Sequence, residues 1–357
     1  MDEIIQFSKN NKTVLQAYAA RKSLPPDFQQ YQKHKFNAMA LLSVESPLEL
    51  CRLLNASIYQ LEEIINNPVY QHHVINKKRG GKRHIFAPER LLKKTQKRLN
   101  YFLQAYYLWI KPNEVHGFVI NPHYLGSHCN IAANAHVHTG KKHVVNIDLK
   151  DFFPNISAKR IKNLFSSSLF NYNEQISRAL TLLTTYESKL PTGAPTSPVL
   201  SNFVCRSLDA DLRTFCETNG LYYTRYADDL TFSSDTIISY DTILDIILLI
   251  KKNGFEINVK KLRVQLPNRR QTVTGLTVNE KVNIDRKLLK KIRAMLHDLT
   301  TNGIKAATKR HFNLKNAIAD STQQQRFISR LEGYINFVGQ VRGKNDAVYL
   351  KFKSQRP

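Results

Sequence analysis

Residues 225–232, RYADDLTF, set Asp228 and Asp229 side by side between runs of tyrosine, threonine and phenylalanine. The stretch LYYTRYADDLTFSS therefore reads as a strand, a tight turn and a second strand. Neighbouring side chains on a regular strand point to opposite faces, but at a turn both can be aimed at one place. Two carboxylates in one site repel, so one takes up a proton or a divalent cation holds them. Hard oxygen donors suit Mg2+. A second strand, KHVVNIDLKDFF, runs through β-branched residues to Asp148 and Asp151. Asp148 at its end completes a cluster able to hold two ions about 3.5 to 4 Å apart. Such ions lower the pKa of an attacking hydroxyl and stabilise charge on a transferring phosphoryl group, so the chemistry implied is nucleotidyl transfer. Taken alone, YADD is equally an ordinary polar hairpin turn, and its surroundings have to decide.

The surroundings are basic. Lys and Arg number 53 against 28 Asp and Glu, a formal charge of +25 spread along the whole chain, which favours polyanions and makes nucleic acid the first partner to consider. With 357 residues, 42% of them hydrophobic, the chain can bury one large core or two to three subdomains. Cys51, Cys129, Cys205 and Cys216 fall at irregular spacings without CxxC, which argues against a disulfide framework or a cysteine zinc site and for reduced thiols in a cytosol. The start, MDEIIQFSKNNK, is acidic where a signal peptide needs basic residues, and no apolar run reaches the roughly 18 residues of a membrane span. A soluble cytoplasmic protein with no membrane partner is expected.

Along the chain there is no internal repeat and no low-complexity tract. Residues 1–45 read as a polar extension packed on the body, broken at Pro25 and Pro26. SPLELCRLL and SIYQLEEII each open on a capping box, Ser46 with Glu49 and Ser57 with Gln60. YQHHVINKKRGGKRHIFAP predicts a hairpin around Gly80-Gly81 with a basic tip, and ERLLKKTQKRLNYFLQAYYLWI an amphipathic helix. SRALTLLTTYESKL is expected to be helical, PTGAPTSP a loop, and VLSNFVCRSLDADLRTFCETNG one helix stopped by Gly220. A helix through YDTILDIILLIKKNG, short strands at FEINVKKLRVQ and QTVTGLTVN, and helices from Asp285 follow. In DRKLLKKIRAMLHDLTT, Leu288, Leu289, Ile292, Met295, Leu296 and Leu299 form a stripe opposite lysines and arginines.

In this order the blocks resemble a reverse transcriptase, most closely the retron reverse transcriptases of bacteria, over about residues 45–340. GGKRHIFAPERLLKKTQKRL is similar to the first block, which implies Lys78 and Arg83 on the triphosphate of the incoming nucleotide. NIDLKDFFPNI is similar to the third, which implies Asp148 as metal ligand, the backbone near Asp151 on the triphosphate, and Phe153 as an aromatic gate against a ribose 2'-hydroxyl. Phe153 is equally a core aromatic by pattern alone. LPTGAPTSPVLSN resembles the fourth block and YADD the fifth, with Asp228 a metal ligand and Asp229 a third carboxylate. GFEINVKK resembles the sixth, in which Lys261 donates a proton to pyrophosphate, and VTGLTVN the seventh, where the primer is gripped. NAHVH matches the retron NAxxH motif (Asn134, Ala135, His138) and Val273, Thr274 and Gly275 the VTG motif, both associated with the family's structured RNA. Two departures stand out: Thr192 replaces a common glutamine that contacts the nucleotide sugar, and CNI (Cys129, Asn130, Ile131) lacks the arginine of RSI.

The resemblance implies an α+β right-hand polymerase: an extension (1–45), fingers (46–140), a palm with an antiparallel sheet (141–284) and a basic helical thumb (285–357). It implies RNA-directed DNA synthesis with two Mg2+ ions and deoxynucleoside triphosphates, primed from a guanosine 2'-hydroxyl of a cognate noncoding RNA. The product is branched RNA-linked DNA (msDNA), and antiphage defence is expected with an effector protein, a toxin or nuclease. His116, His123, His128, His136, His138 and His143 crowd one stretch. No pair has finger or HExxH spacing, so they are read as RNA contacts or palm packing, His138 the foremost for RNA. A group II intron-like polymerase and a non-catalytic RNA scaffold stay open; primer and nucleotide preference separates the first, absence of incorporation with magnesium the second.

Overall fold

Ser46 and Ser57 cap their helices as their sequences dictate, each accepting from the backbone three residues on while Glu49 and Gln60 reach back. The computed structural model that displays this describes residues 2–21, 33–77, 80–121, 129–314 and 319–355. By its contacts the chain divides into two units. The first comprises Met1–Cys129, Ile147–Leu230 and Ser239–Leu262; the second, Asn130–Asn146, Thr231–Ile238 and Arg263–Pro357. This division cuts the chain differently from the expected linear order of extension, fingers, palm and thumb.

In the first unit α1 (Asp2–Asn10), α2 (Lys12–Arg21) and α3 (Lys33–Leu42) precede the capped helices α4 (Pro47–Leu54) and α5 (Ile58–Asn66). Every residue of α3 from Phe36 to Leu42 is buried. Its run FNAMALL has no polar face, so it can only be stable surrounded by protein. The end of the expected polar extension is thus core, with Phe36, Met39, Leu41 and Leu42 each contributing about 1.5–3 kcal/mol of burial. The Pro25–Pro26 break lies outside the described residues. Strands β1 (Tyr70–Asn76) and β2 (Lys82–Pro88) form the predicted hairpin, register Asn76↔Lys82, with Gly80 and Gly81 at positive φ. Then α6 (Arg90–Ile110) buries Leu92, Leu99, Phe102, Leu103 and Tyr106 at helical spacing and keeps Lys93, Lys94 and Lys97 outside.

The chain continues through α7 (Ile131–His136), β3 (His143–Asp148), α8 (Ala158–Ser166) and α9 (Glu174–Thr184). The expected helix through YESKL stops at Thr184, whose hydroxyl turns back to the carbonyl of Leu180, a local bond that competes with continued helix. The single helix expected over 199–220 is two, α10 (Ser197–Val204) and α11 (Arg206–Thr218). They meet at Cys205, whose ψ of −4° departs from helical values without any Pro or Gly to announce it. Strands β4 (Tyr222–Tyr226) and β5 (Asp229–Ser234) flank the YADD turn, α12 (Tyr240–Lys252) follows, and one 3-10 turn (Val259–Lys261) stands where strand was expected before β6 (Arg263–Gln265). The sheet order is β4-β5-β3-β6.

The second unit pairs β3 with β6 antiparallel, Val145 opposite Val264, and adds β7 (Thr272–Val273) and β8 (Leu276–Thr277) with α13 (Arg286–His311), α14 (Ser321–Arg342) and α15 (Ala347–Ser354). Leu289, Ile292, Met295 and Leu296 of α13 enter one apolar cluster with Phe327, Leu331 and Ile335 of α14. Arg286, Lys287, Lys290, Lys291 and Arg293 stay exposed on the opposite side, the basic face that the pattern predicts. No helix among the described residues is long and apolar enough to cross a membrane.

Candidate active site

Asp148 is the last residue of β3, a strand buried from His143 to Ile147. Its carbonyl accepts from Asn258 N at 2.8 Å, and Leu149 N donates to the carbonyl of Asp228 at 2.9 Å. Backbone bonds thus bring together three segments that lie far apart in sequence. The YADD turn is two-residue, with Ala227 at φ +60° and Asp228 beyond it. Positive φ at the first turn position alone is a type II' hairpin turn, where glycine is usual.

Asp148 and Asp228 line one cleft of about 500 Å³. Burial pushes the Asp228 carboxyl above the ordinary carboxylate range; the charge of Asp148 adds to this, while Lys261 and Arg83 oppose it. Lys261 Nζ lies 2.7 Å from Asp148 Oδ1. Asp229 opens β5, is exposed and does not line the cleft, whereas Asp228 in the turn does. Among the described residues no three His, Cys, Asp or Glu side chains converge closely enough to hold a metal. Two hard carboxylates that line one cleft are nevertheless a donor set that suits Mg2+, with further oxygens left to water and phosphate.

Arg83, Asp151, Phe153 and Thr192 line the same cleft. Lys78 lies outside the described residues. The hairpin is tied to the loop carrying Thr192, whose carbonyl accepts from Phe86 N at 2.7 Å. Gly193 next to it has φ +120°, and a Cβ there would fall 2.8 Å from Ile85 Cγ2, so only glycine permits the approach. Phe153 is half-buried, its ring stacked on Phe118 with centroids 5.8 Å apart.

The residues expected at RNA belong to the second unit and are mostly buried. Asn134 is 1% and His138 0% exposed; His138 Nδ1 lies 2.6 Å from Ser233 Oγ. Among the described residues neither amide atom of Asn134 has a hydrogen-bond partner. Val273 is in the apolar cluster, and Thr274 and Gly275, φ +48° and +83°, make the turn between β7 and β8. The Thr274 hydroxyl donates to Ile131 O of α7 at 3.1 Å. Two motifs over 130 residues apart in sequence are therefore one module. Of the crowded histidines, His143 is buried, His136 is exposed, and His123 and His128 lie outside the described residues.

Sequence reasoning missed a buried network beside the YADD turn. Arg225, fully buried, donates Nε and Nη2 to Asp209, each at 2.7 Å, and Nη1 to Asn202 Oδ1 at 2.9 Å and to Ala227 O at 3.2 Å. Its only signal is an arginine in an otherwise apolar-leaning strand.

The end of β3 and the neighbouring hairpin turn thus present Asp148 and Asp228 to a cleft that Lys82, Arg83 and Lys261 also line. The chain belongs to the reverse transcriptase (RNA-dependent DNA polymerase) family, whose sequence profile matches residues 75–310, and it is an RNA-directed DNA polymerase. Within the family it groups with the retron enzymes. It is 36% identical over 236 residues to the retron Ec86 reverse transcriptase of Escherichia coli, covering 64% of this chain and 70% of that one. It is 33% identical over 264 residues to the retron Mx65 reverse transcriptase of Myxococcus xanthus, covering 69% and 59%. A telomerase structure from Candida albicans aligns with TM-score 0.47 at 11% identity, covering 82% of this chain and 64% of that one.

Proposed function

We propose that this polymerase copies one dedicated structured noncoding RNA, starting from the 2'-hydroxyl of an internal guanosine, and yields branched RNA-linked single-stranded DNA. The convergence of Asp148 and Asp228 on one cleft with Arg83, Phe153 and Thr192 carries this reading, together with the likeness to retron enzymes. Asp148 and Asp228 hold divalent metal, and Asp229 supports it from the neighbouring face. Bound Mg2+, two ions in this reading, supplies Lewis-acid stabilisation of the transferring phosphoryl group and a lower pKa for the attacking hydroxyl.

The chain's own residues do the rest. Arg83 and Lys78 orient the triphosphate of the incoming deoxynucleotide, the backbone at Asp151 donates to it, and Phe153 leaves no room for a 2'-oxygen. Thr192 stands at the sugar where a longer glutamine would reach it. Lys261, held near the reacting end by Asp148, passes its proton to pyrophosphate. The first unit thus serves as fingers and catalytic palm, and α13 with its basic face as thumb. The module of Asn134, His138, Val273, Thr274 and Gly275 engages the cognate RNA, its buried members shaping the surface that the turn and α7 present. The complex acts in the cytoplasm, keeps its msDNA, and holds an effector protein, a toxin or nuclease, in antiphage defence.

Nucleic acid co-purified from cells carrying the native locus tests the reading. The expected product is DNA whose 5' end is joined to the 2'-oxygen of one guanosine in one RNA. DNA that starts only from free 3' ends of many RNAs contradicts it.

A further inference from the structure

A ring that distinguishes a hydrogen from a hydroxyl has to be held still, because a displacement of half an ångström opens the space it denies. Phe153 is only half-buried, and from its own loop the ring meets Phe152 at a tilt, centroids 5.4 Å and planes 45° apart. Its face is backed by Phe118, centroids 5.8 Å apart and planes 28° apart, and both rings line the cleft.

Phe118 is itself held in an unusual way. Its φ is +59°, a conformation that an aromatic residue adopts only when its surroundings enforce it. The segment before it runs beside β4, with Arg225 N donating to Glu114 O and His116 N to Arg225 O, each at 2.9 Å. Gly117 then presses on the catalytic turn so closely that a Cβ would lie 2.3 Å from Ala227 N. Asn202 Nδ2 donates to Gly117 O at 3.0 Å and Phe118 O at 3.4 Å, and Gln104 Nε2 to Phe118 O at 3.2 Å. The other end of the Asn202 amide accepts from Arg225 Nη1 at 2.9 Å, and that same nitrogen donates to Ala227 O, the carbonyl preceding Asp228. One buried guanidinium, neutralised by Asp209, therefore fixes the catalytic turn directly and Phe118 through a single side chain.

We propose that Phe118 is a specificity-determining residue for the sugar of the incoming nucleotide, the rigid backing of Phe153, and that Asn202 and Arg225 are positioning residues that lock this gate to the turn bearing Asp228. The inference rests on the reading of Phe153 as the sugar gate.

Single-nucleotide insertion with deoxy- and ribonucleotides, on the full chain with its RNA, tests both layers separately. Phe153→Ala is expected to lower the ratio of the two kcat/KM values, which establishes the gate. Phe118→Ala is expected to lower the same ratio by about three- to tenfold, the fold-change that loss of an aromatic pair implies, chiefly through a smaller KM for the ribonucleotide. Phe118→Leu, which keeps bulk and loses the stacked ring, decides the matter if the alanine variant does not fold, and Phe118→Tyr restores the ratio. Adding Phe118→Ala to Phe153→Ala changes it little, since there is no ring left to back. Asn202→Ala is expected to lower the ratio and also slow deoxynucleotide insertion, because turn and gate loosen together. If Phe153→Ala opens the gate while Phe118→Ala and Phe118→Leu keep the wild-type ratio, the role of Phe118 is overturned and the gate stands. If Phe153→Ala itself leaves the ratio unchanged, the gate reading fails and this inference with it. An Asn202→Ala protein that melts earlier yet keeps ratio and rate removes Asn202 from the positioning role.

Discussion

The ammonium of Lys261 sits 2.7 Å from Oδ1 of Asp148, the lysine side chain 54% exposed and the aspartate 13%. A pair this open to water adds little stability, about 0–1 kcal/mol. Its importance is where it places a positive charge: against a carboxylate that the proposed metal needs and beside the end of the cleft where pyrophosphate would leave.

Lys261→Ala is therefore expected to separate binding from turnover. Without the competing cation the Mg2+ concentration for half-maximal synthesis falls about threefold, while kcat falls about 100-fold for want of a proton donor. Thermal melting moves by no more than about 2 °C. A magnesium titration of insertion rates checks all of this; an unchanged kcat removes Lys261 from proton transfer.

The adjacent aspartates of the YADD turn are expected to differ. Asp228 faces the cleft and Asp229 does not. Asp229→Asn is expected to leave a synthesis rate at least about tenfold above that of Asp228→Asn, which removes a proposed metal ligand. Equal losses in steady-state assays at saturating magnesium would show that Asp229 turns into the site when it is loaded.

Arg225 and Asp209 are both fully buried and joined by two hydrogen bonds. Asp209→Asn strands a buried guanidinium and is expected to destabilise the protein by about 3–5 kcal/mol, whereas Asp209→Leu combined with Arg225→Met destabilises it far less. Urea midpoints of the three proteins decide it, a single variant within about 1 kcal/mol of wild type being the contrary result.

Burial, with the charge of Lys111 adding to it, pushes the His116 imidazole down to about 4, and among the described residues its Nδ1 has no hydrogen-bond partner. The folded protein thus refuses a proton that the unfolded chain takes up near pH 6.5. Stability from this residue is complete above pH 6.5 and is lost as pH falls toward 4, by roughly 1.4 kcal/mol per unit. His116→Gln should flatten the pH dependence of the urea midpoint across that window. A slope equal to that of the wild type would mean that His116 is protonated as easily in the fold as outside it.

What the sequence made legible is what short-range chemistry decides. The capping boxes at Ser46 and Ser57, the Gly80-Gly81 turn, the strand ending at Asp148 and the stripe on α13 are each written within a few residues, and each is present. The break at Cys205 was not legible, because it is made by backbone angles in a segment with an uninterrupted amphipathic pattern. Nor was the burial of Asn134 and His138, since polar residue types carry no sign of being inside. Phe118 and Phe153, and the four residues of the Arg225 network, meet only through tertiary folding. No spacing rule connects them.

DNA synthesis by Asp148→Asn and Asp228→Asn, each bound to the RNA that co-purifies with the wild-type protein, tests the central claim most directly. Both variants are expected to retain that RNA within about twofold of wild type and to lose synthesis by at least about a thousandfold at any magnesium concentration. Synthesis persisting at near wild-type rate in either would contradict the assignment of these two carboxylates as the metal-holding pair of the polymerase.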